Sequence, residues 1–136
     1  MSGHAGMQKD FDRWNDKKKE VDCSTFADFV NEREVWWCTL GVNVGSEQDG
    51  SQDFFERPVL VVRKFNKDTV LIVPLTSSPR RTPYHIAVRH EGMEFVAVVS
   101  QLRLISTKRL ARKIYQMDRA IFAEIVTRIQ AMLPRV

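Results

Sequence analysis

The chain is poor in the residues that mark several protein classes. Of its 136 residues only two are cysteine, Cys23 and Cys38, too few for a disulfide-built scaffold. Six glycines and five prolines exclude a collagen-like chain or a proline-rich linker. No apolar run reaches the roughly 18 residues that a membrane-spanning helix requires, so no membrane partner is expected. The first residues lack the basic, apolar, small-residue order of a secretory leader, and a reducing, cytoplasmic setting is the expectation. The three histidines, His4, His85 and His90, and the two cysteines show no zinc-ligand spacing, so no metal and no other cofactor is expected. Gly41, Gly45 and Gly50 are not followed by the Gly-Lys-Ser/Thr of a phosphate-cradling loop. No Gly-x-Ser-x-Gly turn and no Cys–His pair stands out as a nucleophile.

What is present suits one folded domain: 43% of the residues are hydrophobic and 28% charged. The net charge of +4 is divided unevenly. Residues 1–34 hold six Lys/Arg against eight Asp/Glu, whereas residues 35–136 hold fifteen against nine. The basic excess therefore lies in the body, which suits a polyanionic partner and equally suits solubility.

Residues 7–21 read as an amphipathic helix, with Met7, Phe11, Trp14 and Val21 on one stripe. Ser24 or Thr25 is placed to cap a second short helix through Phe29. From Val35 the period becomes that of strands: Val35–Leu40, Pro58–Val62, Thr69–Pro74, Tyr84–Val88, Phe95–Val99 and Leu102–Ile105. Arg109–Ala111 is read as a helical turn and Ile114–Gln116 as a last strand. Asp118 then caps a C-terminal helix whose stripe is Ile121, Ile125, Ile129 and Met132. Ile121, Ile125 and Ile129 together exceed the needs of a lone surface helix. No strand–helix–strand rhythm recurs, so a mainly β fold with flanking helices, a small strongly coiled barrel, is expected. Residues 1–33 would be an N-terminal helical extension and residues 34–136 the domain proper.

Three segments carry polar groups at the ends of apolar strands. The first runs from Gly45-Ser46-Glu47-Gln48-Asp49-Gly50 to Glu56-Arg57-Pro58, and reads either as a surface loop or as an active-site loop on a rigid sheet. Arg57 stands where loop becomes strand, and its planar guanidinium suits a phosphate. The second is Pro74-Leu75-Thr76-Ser77, where the Thr76 hydroxyl can meet a phosphoryl oxygen or cap the strand. The third is Ser100-Gln101-Leu102-Arg103, where Gln101 can read a base edge or close a bulge. Trp36, Trp37, Phe54, Phe55 and Tyr84 are candidate stacking surfaces, although strand alternation buries one of the two tryptophans. Arg103, Lys108, Arg109, Arg112 and Lys113 form a basic set without an acid, either a path for a polyanion or a solvated face.

The order Val35-Trp36-Trp37, Gly45-Ser46-Glu47-Gln48, Arg57-Pro58-Val59-Leu60-Val61, Val73-Pro74-Leu75-Thr76-Ser77, Ser100-Gln101-Leu102-Arg103 and Lys108-Arg109-Leu110 resembles the MazF/PemK toxins of type II toxin–antitoxin systems. The resemblance covers residues 34–133. It implies an SH3-like barrel that dimerises, pairs with a cognate antitoxin and cuts single-stranded RNA without a metal. It also implies that Arg57 and Thr76 are catalytic, with Glu47, Gln48 and Gln101 helping to place RNA. Arg80, Arg81 and His85 flank the end of the Thr76 strand and join Arg103, Lys108 and Arg109 as expected RNA contacts. The mechanism so implied is attack by the RNA 2′-hydroxyl, leaving 2′,3′-cyclic phosphate and 5′-hydroxyl ends. Residues 49–56 are longer than the family's usual link, and residues 1–33 have no counterpart in its minimal members. The alternatives are a non-catalytic barrel that binds nucleic acid or protein, and a gyrase-directed toxin of the same fold.

Overall fold

The succession of short β-branched runs becomes a seven-stranded antiparallel sheet in a computed structural model, which describes residues 9–27, 29–41, 43, 49–50, 55–77 and 82–136. In chain order the elements are α1 (Phe11–Asp22), β1 (Glu34–Thr39), β2 (Glu56–Lys64), β3 (Thr69–Thr76), β4 (His85–His90), β5 (Met93–Val98), β6 (Arg103–Ser106), β7 (Leu110–Gln116) and α2 (Arg119–Met132). The strands lie in the order β4-β5-β3-β2-β1-β7, and β6 also pairs with β3.

β3 is the strand on which the sheet turns. One edge pairs with β2. The other pairs with β6 through Thr69–Ile72 and then with β5 through Leu75 and Thr76. A bulge in β2 between Val61 and Arg63 adds twist beside the same strand. Together they coil the sheet into the small, mostly β, SH3-like half-barrel expected from the sequence.

The central strands are buried on both faces, which is why they read as continuous apolar runs. On one face Val35, Leu60, Val73 and Leu75 meet Ile125 and Ile129 of α2. On the other Trp36, Cys38, Val59, Val61 and Ile72 meet Ile105 and Leu110. Each fully buried Ile or Leu contributes about 1.5–3 kcal/mol relative to exposure. Ile125 and Ile129 are thus consumed by the protomer's own core, so the α2 stripe is explained without a second copy. The Asp118 side chain accepts from the Ala120 N–H at 3.1 Å, the expected cap of α2.

Several boundaries differ from the sequence reading. α1 begins at Phe11; Met7 of its expected stripe lies outside the described residues, and of Phe11, Trp14 and Val21 only Trp14 is buried. The helix expected through Phe29 does not form among the described residues: Phe29 has φ 56° and is 89% exposed. The turn expected at Arg109–Ala111 occurs earlier, at Thr107–Arg109. Consequently the last strand, expected over Ile114–Gln116, already starts at Leu110 as β7, its first part masked by four successive exposed positions, Ala111–Ile114. β2 starts at Glu56, so Pro58 is its third residue.

One buried charge ties β1 to β7. The Glu34 carboxylate accepts from the Asn31 N–H at 2.8 Å and from Trp36 Nε1 at 3.1 Å, and pairs with Lys113 Nζ at 3.1 Å. Burial pushes its pKa up, but these donors and the Lys113 charge outweigh burial and hold it below the ordinary value. A depressed carboxylate stabilises the fold above its unfolded pKa and loses that contribution as pH falls through the folded one. Glu34→Gln should therefore cost about 2 kcal/mol at pH 7 in urea denaturation. The gap should narrow as the parent's carboxylate protonates below about pH 4. An undiminished gap at acid pH would remove the charge as its source.

Candidate active site

Two prolines end the ladder between β2 and β3. Pro58 and Pro74 carry no N–H, and the last pair of that ladder is Val59 with Pro74. Two residues further along each strand stand Arg57 and Thr76. Continuing the register sets them opposite each other, and strand alternation sets both on the face of Val59, Val61 and Ile72. They lie just where the backbones cease to bond to each other, so the sheet presents a cation and a hydroxyl there instead of a ladder rung.

Arg57 is half-buried and firmly held. Its Nε donates to the Asp49 carbonyl, and its Nη1 donates to the Leu75 carbonyl at 3.4 Å. No described residue accepts from Nη2. Burial lowers its pKa below the usual guanidinium value, while the nearby Asp49 charge acts in the opposite sense. Thr76 is the last residue of β3 and is 8% exposed, so its side chain is fixed by packing.

Cys38 of β1 pairs with Arg57 on the side away from β3. β6 places Arg103 opposite Ile72 on the same face. Arg109 donates from Nη1 to the Thr39 carbonyl at 3.2 Å. Burial lowers the Arg109 pKa, and the charge of neighbouring Arg103 lowers it further. A phosphate-sized anion on this face would thus meet several cations whose mutual repulsion it relieves.

The structure sorts the remaining candidates. Gln101 belongs to a helical turn, Val99–Gln101, that packs on β3 where its edge passes from β6 to β5. His85 lies two strands from β3, about 10 Å at ordinary strand spacing. It occupies the row of Pro74 and Val98, hence the face of Thr76, and its Nδ1 bonds the Thr82 hydroxyl. Lys108 turns to α1 and donates to the Asp22 carbonyl at 2.9 Å. Glu47, Gln48, Arg80, Arg81 and Phe54 lie outside the described residues.

The basic set is therefore not one continuous path. Arg112 pairs with Glu56 at 3.4 Å and covers the Trp37 ring at 5.3 Å, on the other face of the sheet. Lys113 pairs with Glu34. Of the candidate stacking surfaces, Trp36 and Phe55 are buried, and Tyr84 is 46% exposed.

The sequence reading placed Trp14 on a helix stripe and Asp49 in a polar loop, but tied neither of them, nor Lys9, to the surroundings of Arg57. Lys9 Nζ pairs with Asp49 Oδ2 at 3.0 Å, and Trp14 packs against Phe55 with ring centroids 5.5 Å apart. Their single available signal was the lone tryptophan on a helix otherwise rich in charge.

The architecture defines a small half-barrel protein with a cationic site at a strand end. Residues 31–133 match the family model described as PemK-like, MazF-like toxin of type II toxin–antitoxin systems, and the chain belongs to that family, whose members are known as endoribonucleases. No curated protein matches the chain in sequence. Among solved structures, MazF from Deinococcus radiodurans superposes with a TM-score of 0.66 at 19% identity, covering 80% of this chain and 97% of that one. An endoribonuclease from a mycobacterial species, solved with its cognate antitoxin, gives 0.61 at 18% identity over 79% and 99% of the two chains. The Mycobacterium tuberculosis toxin MazF-mt6 gives 0.56 at 16% identity over 73% and 94%. At these identities the structural likeness speaks for the fold.

Cys38, beside Arg57, is fully buried, and burial pushes its thiol pKa up to about 12. Cys23 is exposed. An aromatic disulfide reagent at pH 8 should therefore titrate Cys23 promptly and Cys38 only after denaturation. Prompt reaction of both thiols in the folded protein would contradict the closed packing beneath Arg57.

Proposed function

We propose that the chain is an endoribonuclease toxin that cleaves single-stranded RNA through the RNA's own 2′-hydroxyl. The observation that carries the reading is the placement of Arg57 opposite Thr76, on one face, just past the end of the β2–β3 ladder. Family membership supports the same reading. Residues 34–136 would form the endoribonuclease domain.

In this mechanism the 2′-oxygen attacks the adjacent phosphorus as its proton departs. The bond from phosphorus to the 5′-oxygen then breaks, and that oxygen gains a proton. The products are a 2′,3′-cyclic phosphate and a 5′-hydroxyl. Charge accumulates on the non-bridging oxygens of the phosphorane, and a fixed guanidinium at Arg57 stabilises it more than the ground state. Holding Arg57 by two carbonyls means that little reorganisation is needed when that charge appears. An arginine with its usual pKa of about 12.5 or above is a poor base. Burial lowers the Arg57 pKa, the direction that proton transfer requires, while the proton-transfer role itself rests on the family resemblance. Thr76 would hold a phosphoryl oxygen. Arg103, Arg109, Gln101 and His85 would guide the strand across the same face, with Glu47, Gln48, Arg80, Arg81 and Lys108 as further contacts.

A cognate antitoxin follows from family membership, and the solved mycobacterial relative with its antitoxin supports such a partner. An acidic, partly disordered antitoxin segment would suit the basic body and block the cationic face. A homodimer is part of the same reading and rests on the family rather than on α2. A cytoplasmic location accords with an RNA substrate, and no described helix is long and apolar enough to cross a membrane.

The test is cleavage of a long RNA in excess EDTA, with the fragment ends mapped. Cutting should persist and leave cyclic phosphate and 5′-hydroxyl ends. Arg57→Ala should lower the single-turnover rate by roughly a hundredfold or more while circular dichroism stays unchanged. Thr76→Val keeps the β-branched shape and should also impair cutting. A folded R57A variant that cuts at the parent rate would remove Arg57 from the chemistry, and a parent that cuts no RNA would return the chain to the class of non-catalytic binding barrels.

A further inference from the structure

The N-terminal helix reaches the candidate site through a short series of contacts. Trp14 is 5% exposed and is the buried side chain of α1. Its indole lies against Gly41, where a Cβ would run into the ring, and against Phe55. Arg13 covers the other ring of that pair, with its Cζ 5.4 Å from the Phe55 centroid. Phe55 precedes Arg57 by two residues and holds φ 57°, a conformation that a bulky residue keeps only when its surroundings demand it. Gly41 N–H donates to the Phe55 carbonyl at 2.9 Å, and Gly50 N–H donates to the Gly41 carbonyl at 2.7 Å. Just ahead of α1, Lys9 Nζ pairs with Asp49 Oδ2 at 3.0 Å and also donates to the Asn43 carbonyl. Asp49 Oδ1 accepts from the Asn43 N–H at 2.7 Å. The Asp49 carbonyl then takes Arg57 Nε.

We infer that Lys9 and Trp14 are positioning residues for Arg57, so that the N-terminal helix is a working part of the site. The inference rests on the ribonuclease reading above and adds a residue set to it. Lys9 fixes Asp49, whose carbonyl sets the direction of the guanidinium. Trp14 fixes Phe55 and Gly41, which set where β2 begins. Neither residue touches the phosphate. Their effect belongs to the rate of the chemical step, since displacing a catalytic group by about 1 Å can cost about a hundredfold.

A charge-exchange series on the full chain tests this. Lys9→Asp and Asp49→Lys alone should each lower the single-turnover rate roughly tenfold or more, with little change in the RNA dissociation constant. The double exchange K9D/D49K should recover most of the rate by restoring the pair in reverse. In an R57A background, Lys9→Asp should have no further effect, because the group that it positions is gone. Trp14→Ala should behave as Lys9→Asp, with circular dichroism and a thermal melt reporting its fold. If the parent cuts RNA and depends on Arg57, yet folded K9D cuts at the parent rate, the positioning role is overturned and the ribonuclease reading stands. An additive loss on top of R57A, or no recovery in the double exchange, would also overturn it. A parent that cuts no RNA would overturn the ribonuclease reading and the positioning role with it.

Discussion

A slip of one residue between β2 and β3 would send Arg57 and Thr76 to opposite faces of the sheet, because side chains alternate along a strand. The register that prevents it is set at the far end of the hairpin. Asn66 Oδ1 accepts from the Asp68 N–H at 2.8 Å and shapes the turn. Thr107, fully buried, then pins that turn to the body: its hydroxyl donates to the Lys67 carbonyl at 2.8 Å and its N–H to the Asp68 carbonyl at 2.9 Å. At the near end the prolines stop the ladder at Val59 and Pro74. The candidate site thus depends on a register fixed at one end and a ladder interrupted at the other.

The same strands explain why the site is rigid. The strands that carry Arg57 and Thr76 feed two hydrophobic clusters, one on each face of the sheet. A half-buried arginine on such a support loses little freedom when it meets an anion, because packing and two carbonyls already restrict it. The partial desolvation that lowers its pKa also strengthens its field toward a phosphate. Arg112, on the other face, and Lys113, beside Trp36, are held by Glu56 and Glu34 and serve the fold.

Much of this was legible in the sequence for a physical reason. β2 and β3 are buried on both faces, so their apolar runs announce strands whatever the topology. Asp118 announces a helix start because few residues can satisfy an unpaired N–H. Arg57 and Thr76 were visible as polar residues closing apolar runs. Only the end of β7, Ile114–Gln116, was read as a strand, because the exposed positions Ala111–Ile114 leave no hydrophobic period. The absent helix near Phe29 shows local propensity yielding to context, as Lys108 sits 4.8 Å above the Phe26 ring and bonds the end of α1. The roles of Lys9, Trp14 and Asp49 could not be read at all. They arise from contacts across 40 and 41 residues of chain separation, Lys9 to Asp49 and Trp14 to Phe55, and no local pattern encodes those pairings.

The central claim is that Arg57 and Thr76 assist an attack whose nucleophile belongs to the RNA. An oligonucleotide carrying one 2′-deoxy residue immediately 5′ of the mapped cleavage site tests it most directly. The account predicts that this RNA binds as the unmodified strand does and is not cut at that position. Cleavage there at the unmodified rate would show that the nucleophile comes from elsewhere and would contradict the account.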